Sequence, residues 1–264
     1  MCYTAAMILL SNDDGIFAPG LHAMAEALAG VQTVVASAPD REQSATGTSI
    51  TLRTPLRVRA TDPIVAGVDT FAVEGSPGDS VILGLEKLAP QAEMVFSGIN
   101  SGQNLGDDVL ISGTVGAALQ GYLRNLPSVA ISAEAMQLTN LPVAGKLAAL
   151  LAKHIADGRL PQNLFLNVNL PPEPLGQIQG ILATNLAHRT HIDSTLDGTD
   201  GRREYYWIVR RRIAYDYDVD TDIWAVEHGY ISITPLHTEL FNSPIRGIDD
   251  ALCRELWDDL KISV

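Results

Sequence analysis

Four polar clusters hold the residues whose types and spacing can do chemistry. The first lies in "MILLSNDDGIFAPG", Met7 to Gly20, where an apolar run ends in Asn12, Asp13, Asp14 and Gly15. Two adjacent carboxylates repel one another, so something positive is expected between them, and a divalent cation with oxygen ligands is the simplest candidate. The plainer reading is a solvated turn, because Asn, Asp and Gly are ordinary turn formers. The second cluster, "APDREQSATGTSIT", offers hydroxyls and backbone amides at Ser44, Thr46, Gly47, Thr48 and Ser49, and taken alone it is a flexible loop. In the third, "FSGINSGQNLGDD", Gly98, Gly102 and Gly106 recur every four residues around Asn100 and Asn104. Glycines let amides approach an anion, and Asn oxygens can bind a hard metal ion. The fourth, "ISGTVGAAL", places Ser112, Gly113 and Thr114 at the start of an amphipathic pattern. A helix start binds phosphate well, although a plain N-cap explains the same residues.

Other features carry less. The third cluster is not the dinucleotide G-x-G-x-x-G, and no G-x-x-x-x-G-K-[ST] occurs, so nicotinamide and P-loop chemistries lose support. In "EGSPGDSVIL", Ser76, Pro77 and Asp79 fit a capping box with proline at the first helical position, a structural role. "DYDVDTDIWAVE" puts Asp216, Asp218, Asp220 and Glu227 at calcium-loop spacing, but Thr221 stands where that loop needs glycine. Arg210 to Arg212 read as a solvated basic run. His22, His188 and His191 are the histidines considered as a general acid.

The elements around these clusters give them a common setting. Met7 to Leu10 is apolar on both faces, as in a strand buried in a parallel sheet. Its acidic turn then falls at the carboxyl edge, where open α/β sheets bind ligands. Pro19 and Gly20 open a helix with apolar residues at Leu21, Met24, Ala25 and Leu28, ended by Gly30, and "TVVASAPD" follows as a second strand. Strand, helix, strand is a βαβ unit. "MVFSG" and "SVAISA" flank a helical pattern at Val115, Ala118, Leu119 and Tyr122; a further helix carries Leu147, Leu150 and Leu151; "LFLNVNL" and "GILAT" extend the sheet. The alternation predicts a mostly parallel, doubly wound α/β fold. From about residue 185 the chain is richer in charge and aromatics, with strand-like "EYYWIVR" and "YISITPL" and a closing helix through Ile248, Leu252 and Leu256. The expected division is a core over 1–185 and an extension over 186–264.

Composition sets outer limits. With 264 residues, 46% hydrophobic and 19% charged, the chain can bury a sizeable core. A net charge of -13 argues against a nucleic-acid polymer or an anionic membrane as partner. Only Cys2 and Cys253 are present, so neither a disulfide framework nor a cysteine zinc site is expected. The start "MCYTAAMILL" lacks a basic n-region, and no apolar stretch is long enough for a bilayer, so a soluble cytoplasmic protein is expected.

In order along the chain, "LLSNDDG", "APDREQSATGTSIT", "SGINSGQNLGDDVLISGTVGAA" and late "EHGYISITPL" resemble the SurE family, survival protein E or 5′/3′-nucleotidase, over nearly the whole length. The resemblance implies a Rossmann-like core, a C-terminal extension used in oligomerisation, and hydrolysis of nucleoside 5′- and 3′-monophosphates with one divalent cation per subunit, Mg²⁺ or Mn²⁺. It places the metal ligands on Asp13, Asp14, Ser44 and Asn100. Asn12 joins the two aspartates as catalytic, and Gly98, Asn104, Ser112, Gly113 and Thr114 line the phosphate site. It further implies a nucleoside monophosphate as substrate and a homodimer or dimer of dimers. Ala45 stands where glycine is common in the family, and Ser76, Gly78 and Ser80 depart from a usual "GTPADC"-like segment. Attack by metal-activated water is the expected mechanism. A phospho-aspartate is disfavoured because the Asp-x-Asp pattern of haloacid-dehalogenase-like enzymes is absent. A non-catalytic receiver-like, phosphate-sensing module is the alternative, and it lacks the lysine such modules need in any polar cluster.

Overall fold

The computed structural model describes residues 6–134, 140–188, 191–212, 216–239 and 253–254. Its centre is a nine-stranded sheet. In chain order its strands are β1 (Met7–Ser11), β2 (Thr33–Pro39), β3 (Val58–Ala60), β4 (Asp69–Val73), β5 (Ala92–Ser101), β6 (Ser128–Ala133), β7 (Phe165–Leu170), β8 (Gly180–Ala183) and β11 (Tyr230–Pro235). A separate antiparallel hairpin comprises β9 (His191–Thr199) and β10 (Glu204–Arg212). The large sheet runs β3-β4-β2-β1-β5-β6-β7-β11-β8. Its pairs are parallel except β3 with β4 and β11 with β7.

Helices cover both faces. On one face α1 (Pro19–Ala29) and α4 (Leu141–Ala156) bury Leu21, Met24, Leu28, Leu147 and Leu151 over Ile8, Leu10, Phe96 and Ile131. On the other, α2 (Pro77–Leu83) and α3 (Gly113–Tyr122) cover Leu9, Val35 and Val95 with Val81 and Ala117. Burial of each such aliphatic side chain contributes roughly 1.5–3 kcal/mol relative to exposure. The expected doubly wound α/β architecture is therefore present, including proline at the start of α1, Gly30 at its C-cap and the capping box of Ser76 and Asp79 on α2.

Some details differ from the sequence expectation. Leu150 lies outside the buried face of α4. β3 and β4 carry no strong apolar run: β3 is exposed throughout, and β4 is a five-residue alternation beginning at Asp69. "YISITPL", expected within the extension, enters the large sheet as β11 between β7 and β8, because Ile231 and Ile233 pack on the same core as Val168. A short helix, α5 (Asp222–Glu227), precedes it. The closing helix through Ile248, Leu252 and Leu256 lies outside the described residues. Among the described residues no helix is long and apolar enough to cross a membrane.

Candidate active site

Chain order and sheet order diverge at β1. The chain moves outward from β1 to β2 and β4, then returns to β5 on the opposite side and continues to β6 and β7. Such a reversal opens a crevice at the carboxyl ends of the central strands. The acidic turn leaves β1 at that crevice, and Asn100, next to last in β5, lines it.

Local bonds shape the turn. Asn12 is fully buried; its side-chain amide donates to the Gly15 carbonyl at 3.0 Å, and its Oδ1 accepts the Gly15 amide at 3.1 Å. This ring holds the two aspartates between fixed ends, so Asn12 acts as a brace. Three other segments are tied to the turn. The Gln43 amide donates to the Asp13 carbonyl at 2.7 Å, which fastens the loop carrying Ser44. The Ser101 amide donates to Asp14 Oδ2 at 3.0 Å, beside Asn100. The Thr114 hydroxyl donates to Asp13 Oδ1, which joins the start of α3.

Close approach explains two glycines. A Cβ on Gly113 would stand 2.7 Å from Asp13 Cβ and 2.8 Å from its Oδ2, so only glycine lets α3 open against the carboxylate. Gly98 has φ of 129°, and a Cβ there would meet the Ile131 carbonyl oxygen at 2.2 Å. Ser112 caps α3 by accepting the Val115 amide at 3.2 Å. The cap reading and the phosphate reading of this helix start are compatible, since capping one amide leaves others of the first turn available.

Burial and like charge shape the electrostatics of the turn. Asp13 is 5% exposed, and burial pushes its carboxyl up from 3.8 to about 6, with the Thr114 hydroxyl opposing and the Asp14 charge adding to the rise. Burial also raises Asp14, and the Glu42 charge adds to it. Among the described residues neither aspartate is ion-paired with Lys, Arg or His. Nor do three His, Cys, Asp or Glu side chains gather there as a metal cage. The set expected from the sequence is two carboxylates with Asn100 and Ser44, and of these Asp14 and Asn100 line one cleft. Asn100 is oriented by donating its amide to the Gly102 carbonyl at 2.7 Å, and Ser44 donates its hydroxyl to Glu42 Oε1 at 2.6 Å. An all-oxygen set of this kind fits a hard divalent cation such as Mg²⁺ or Mn²⁺.

Other expected site residues have partners within the fold. Asn104 is buried, and its backbone amide donates to Asn169 Oδ1, its carbonyl accepts from Asn167 and Asn169, and its side-chain amide donates to the Ser132 hydroxyl at 2.8 Å. These bonds lock the loop into the sheet. His22 is exposed on α1, while His188 and His191 stand 3.6 and 3.4 Å from Asp107 and Asp108. Arg210 pairs with Asp108 and Asp193. Thr221 caps α5, which accounts for its place in the acidic "DYDVDTDIW" run.

Three contributors escaped sequence reasoning. Glu42, two residues before Ser44, binds that hydroxyl and stands over Asp14. Ser101 contributes only its backbone. Asp222, fully buried, accepts the amides of Gly106, Ala187 and Ile223 at 2.7, 3.0 and 2.9 Å. Beside the aspartates opens a cleft of about 290 Å³, lined by Asp14, Glu42, Asn100, Ser101, the start of α1, Ile99, Ala133, Glu134 and Leu141.

Comparison with known proteins gives the family. The family profile described as Survival protein SurE matches residues 8–193. A protein of Dehalococcoides mccartyi strain CBDB1 named 5'-nucleotidase SurE is 53% identical over 247 residues, 92% of this chain and 93% of that protein. One of the same name from Geobacter sulfurreducens is 43% identical over 254 residues, covering 94% and 95%. The crystal structure of the SurE protein from Aquifex aeolicus superposes with a TM-score of 0.76 at 36% identity, covering 89% of this chain and 95% of that one. The match begins in the strand that carries the acidic turn and runs through every segment tied to it, and on that ground the chain belongs to the SurE family.

Proposed function

We propose that the chain hydrolyses nucleoside 5′- and 3′-monophosphates to nucleoside and phosphate, as a phosphomonoesterase dependent on one divalent cation, Mg²⁺ or Mn²⁺. The observation that carries the reading is the pair of adjacent, desolvated carboxylates Asp13 and Asp14, without a basic partner among the described residues, facing the first turn of α3. The names of the relatives, 5'-nucleotidase SurE, point the same way.

Asp13, Asp14, Asn100 and Ser44 would hold the cation. When bound, it would supply charge neutralisation for the phosphoryl oxygens and acidify water at neutral pH. The chain's own groups do the rest. The opening of α3 at Gly113 and Thr114 directs backbone N–H groups toward the phosphoryl oxygens. The Thr114 hydroxyl fixes Asp13 so that the carboxylate does not swing toward phosphorus. In the reaction a water oxygen bonds to phosphorus, the ester P–O bond breaks, and the alcohol leaves with a proton. Water is the nucleophile in this reading because Asp13 Oδ1 is engaged by Thr114 and Asp14 Oδ2 by Ser101.

Phosphate release from AMP and 3′-AMP with Mn²⁺ or Mg²⁺, then after chelation, tests the proposal. Release that stops on chelation and in Asp13→Asn is expected. No release from any nucleoside monophosphate with either cation, or release indifferent to chelation, refutes it.

A further inference from the structure

Three backbone amides converge on one buried carboxylate that lies outside the acidic turn. Asp222 is fully buried; its Oδ2 accepts the Gly106 amide at 2.7 Å, and its Oδ1 accepts the amides of Ala187 and Ile223 at 3.0 and 2.9 Å. Residues beside these amides, Leu105, Ala187, Ile223 and Val226, form a small apolar cluster with Tyr217 packed against it. Burial pushes the carboxyl up while the three amides oppose the rise, and no Lys, Arg or His pairs with it among the described residues. A buried charge is costly, so its place needs a reason beyond capping. Thr221 already caps α5 by accepting the Trp224 amide.

The reason lies in where each amide sits. Gly106 opens a 3-10 turn, Gly106–Leu110, that runs into α3. Within it the Asp108 carbonyl accepts the amides of Ile111 and Ser112 at 3.1 and 3.0 Å, so the position of Gly106 is handed on to the N-cap of α3. Ala187 lies just ahead of β9, at the root of the hairpin, and Ile223 lies in the first turn of α5. Side chains of the same turn meet the same root: Asp107 stands 3.6 Å from His188, and Asp108 stands 3.4 Å from His191 and 3.2 Å from Arg210. A carboxylate accepts on both oxygens, whereas asparagine offers one acceptor oxygen and an N–H donor group. Of side chains this size, a carboxylate is the one that can accept from both sides at once.

We infer that Asp222 is a positioning residue of the phosphate site, holding the turn before α3 from the hairpin root so that the start of α3 and the root shift together. The inference rests on the phosphomonoesterase reading for what the site holds, and extends it to a residue that touches neither cation nor substrate. Asp13, Asp14, Asn100 and Ser44 stand on other segments, so Asp222 governs phosphate affinity and leaves cation affinity nearly unchanged.

Asp222→Asn is a selective probe. With its oxygen toward Ala187 and Ile223 it keeps two amides and sets its own N–H group against that of Gly106, which cuts the tether on the loop side alone. Asp220→Asn is the control, since Asp220 is exposed in the same segment and bonds Asn185 instead. Calorimetry reads the affinity for Mn²⁺, then for inorganic phosphate in the Mn²⁺-loaded protein. In Asp222→Asn the phosphate affinity should fall about tenfold and kcat/KM for AMP by about 10–100-fold, with Mn²⁺ affinity nearly native. Asp220→Asn should match the native chain in all three. Native phosphate affinity in Asp222→Asn, an equal loss of Mn²⁺ affinity, or the same loss in Asp220→Asn overturns the inference. A second measurement needs no variant: because coupling is reciprocal, phosphate should slow amide hydrogen exchange of the native Mn²⁺-loaded chain at residues 105–112 and also at 186–188 and 222–226. Slowing confined to 105–112 overturns the inference as well. If no monoester is cleaved yet phosphate affinity falls in Asp222→Asn as stated, the enzymatic reading fails and the role of Asp222 stands.

Discussion

Asp13→Asn should make the metal-free chain more stable at pH 8, although it removes a residue at the heart of the site. Burial holds the Asp13 carboxyl at about 6 against an ordinary 3.8. At about 1.4 kcal/mol for each tenfold in acidity, the ionised side chain then costs the fold about 3 kcal/mol at alkaline pH. The sign follows from linkage. Because the folded state holds the proton more tightly, the stability is complete below about pH 4 and is lost as pH rises through about 6. Asparagine is neutral, and its Oδ1 can still accept the Thr114 hydroxyl. Its amide replaces an acceptor with a donor, which costs about 1 kcal/mol. The net gain of about 2 kcal/mol corresponds to a melting point higher by about 4–8 °C in a chain of this size. Thermal unfolding in chelator at pH 4, 6 and 8 reads this directly: a gap near zero or slightly negative at pH 4 should open as pH rises. Adding Mn²⁺ should then stabilise the native chain and leave Asp13→Asn unchanged, reversing the order. If Asp13→Asn melts at or below the native chain at every pH in chelator, the desolvated-carboxylate account is wrong.

Phosphate monoesters should be preferred over diesters, since a terminal dianion can meet both a cation and the α3 amides, and faster cleavage of bis-p-nitrophenyl phosphate than of p-nitrophenyl phosphate contradicts this. Gly113→Ala should leave the circular dichroism spectrum intact and lower kcat/KM by about a hundredfold, because its Cβ would press on Asp13 from 2.7 Å and displace the turn; native kinetics would count against the close-packing argument. On the β9–β10 hairpin Trp207 and Ile208 are 67% and 78% exposed, too much apolar surface for a freely projecting element, and burial against a second copy is expected. Replacing both with serine should give a monomer in light scattering, and a native chain already monomeric at micromolar concentration would refute the expectation.

What could be read from sequence was the chemistry contained within a few consecutive residues. Asn12 to Gly15 form their own ring, Ser112 caps its own helix, and Ser76 with Asp79 bond each other across three positions, so type and spacing were enough. Asn104 also fastens its loop to the sheet, a role invisible locally because its partners are 28 to 65 residues away. Asp222 was hidden for the same reason: its carboxylate serves Gly106, 116 positions earlier, whereas its neighbours suggested an acidic loop. Short, mixed strands such as β3 and β4 exist because β2 offers an edge to pair with, a tertiary cause without a periodic signature.

The position of β11 fixes an order of events during synthesis. β8 leaves the ribosome about fifty residues before β11, yet the strand it pairs with in the large sheet is β11. Until residues 230–235 arrive, the backbone groups of β8 have no neighbour to bond, and β7 presents an open edge on the side that β11 will fill. Asp222, translated just ahead of β11, is also the group that anchors Gly106 at the foot of the turn leading into α3. The loops of the candidate site are thus encoded before residue 115, but one of their fastenings is supplied by a residue more than a hundred positions later.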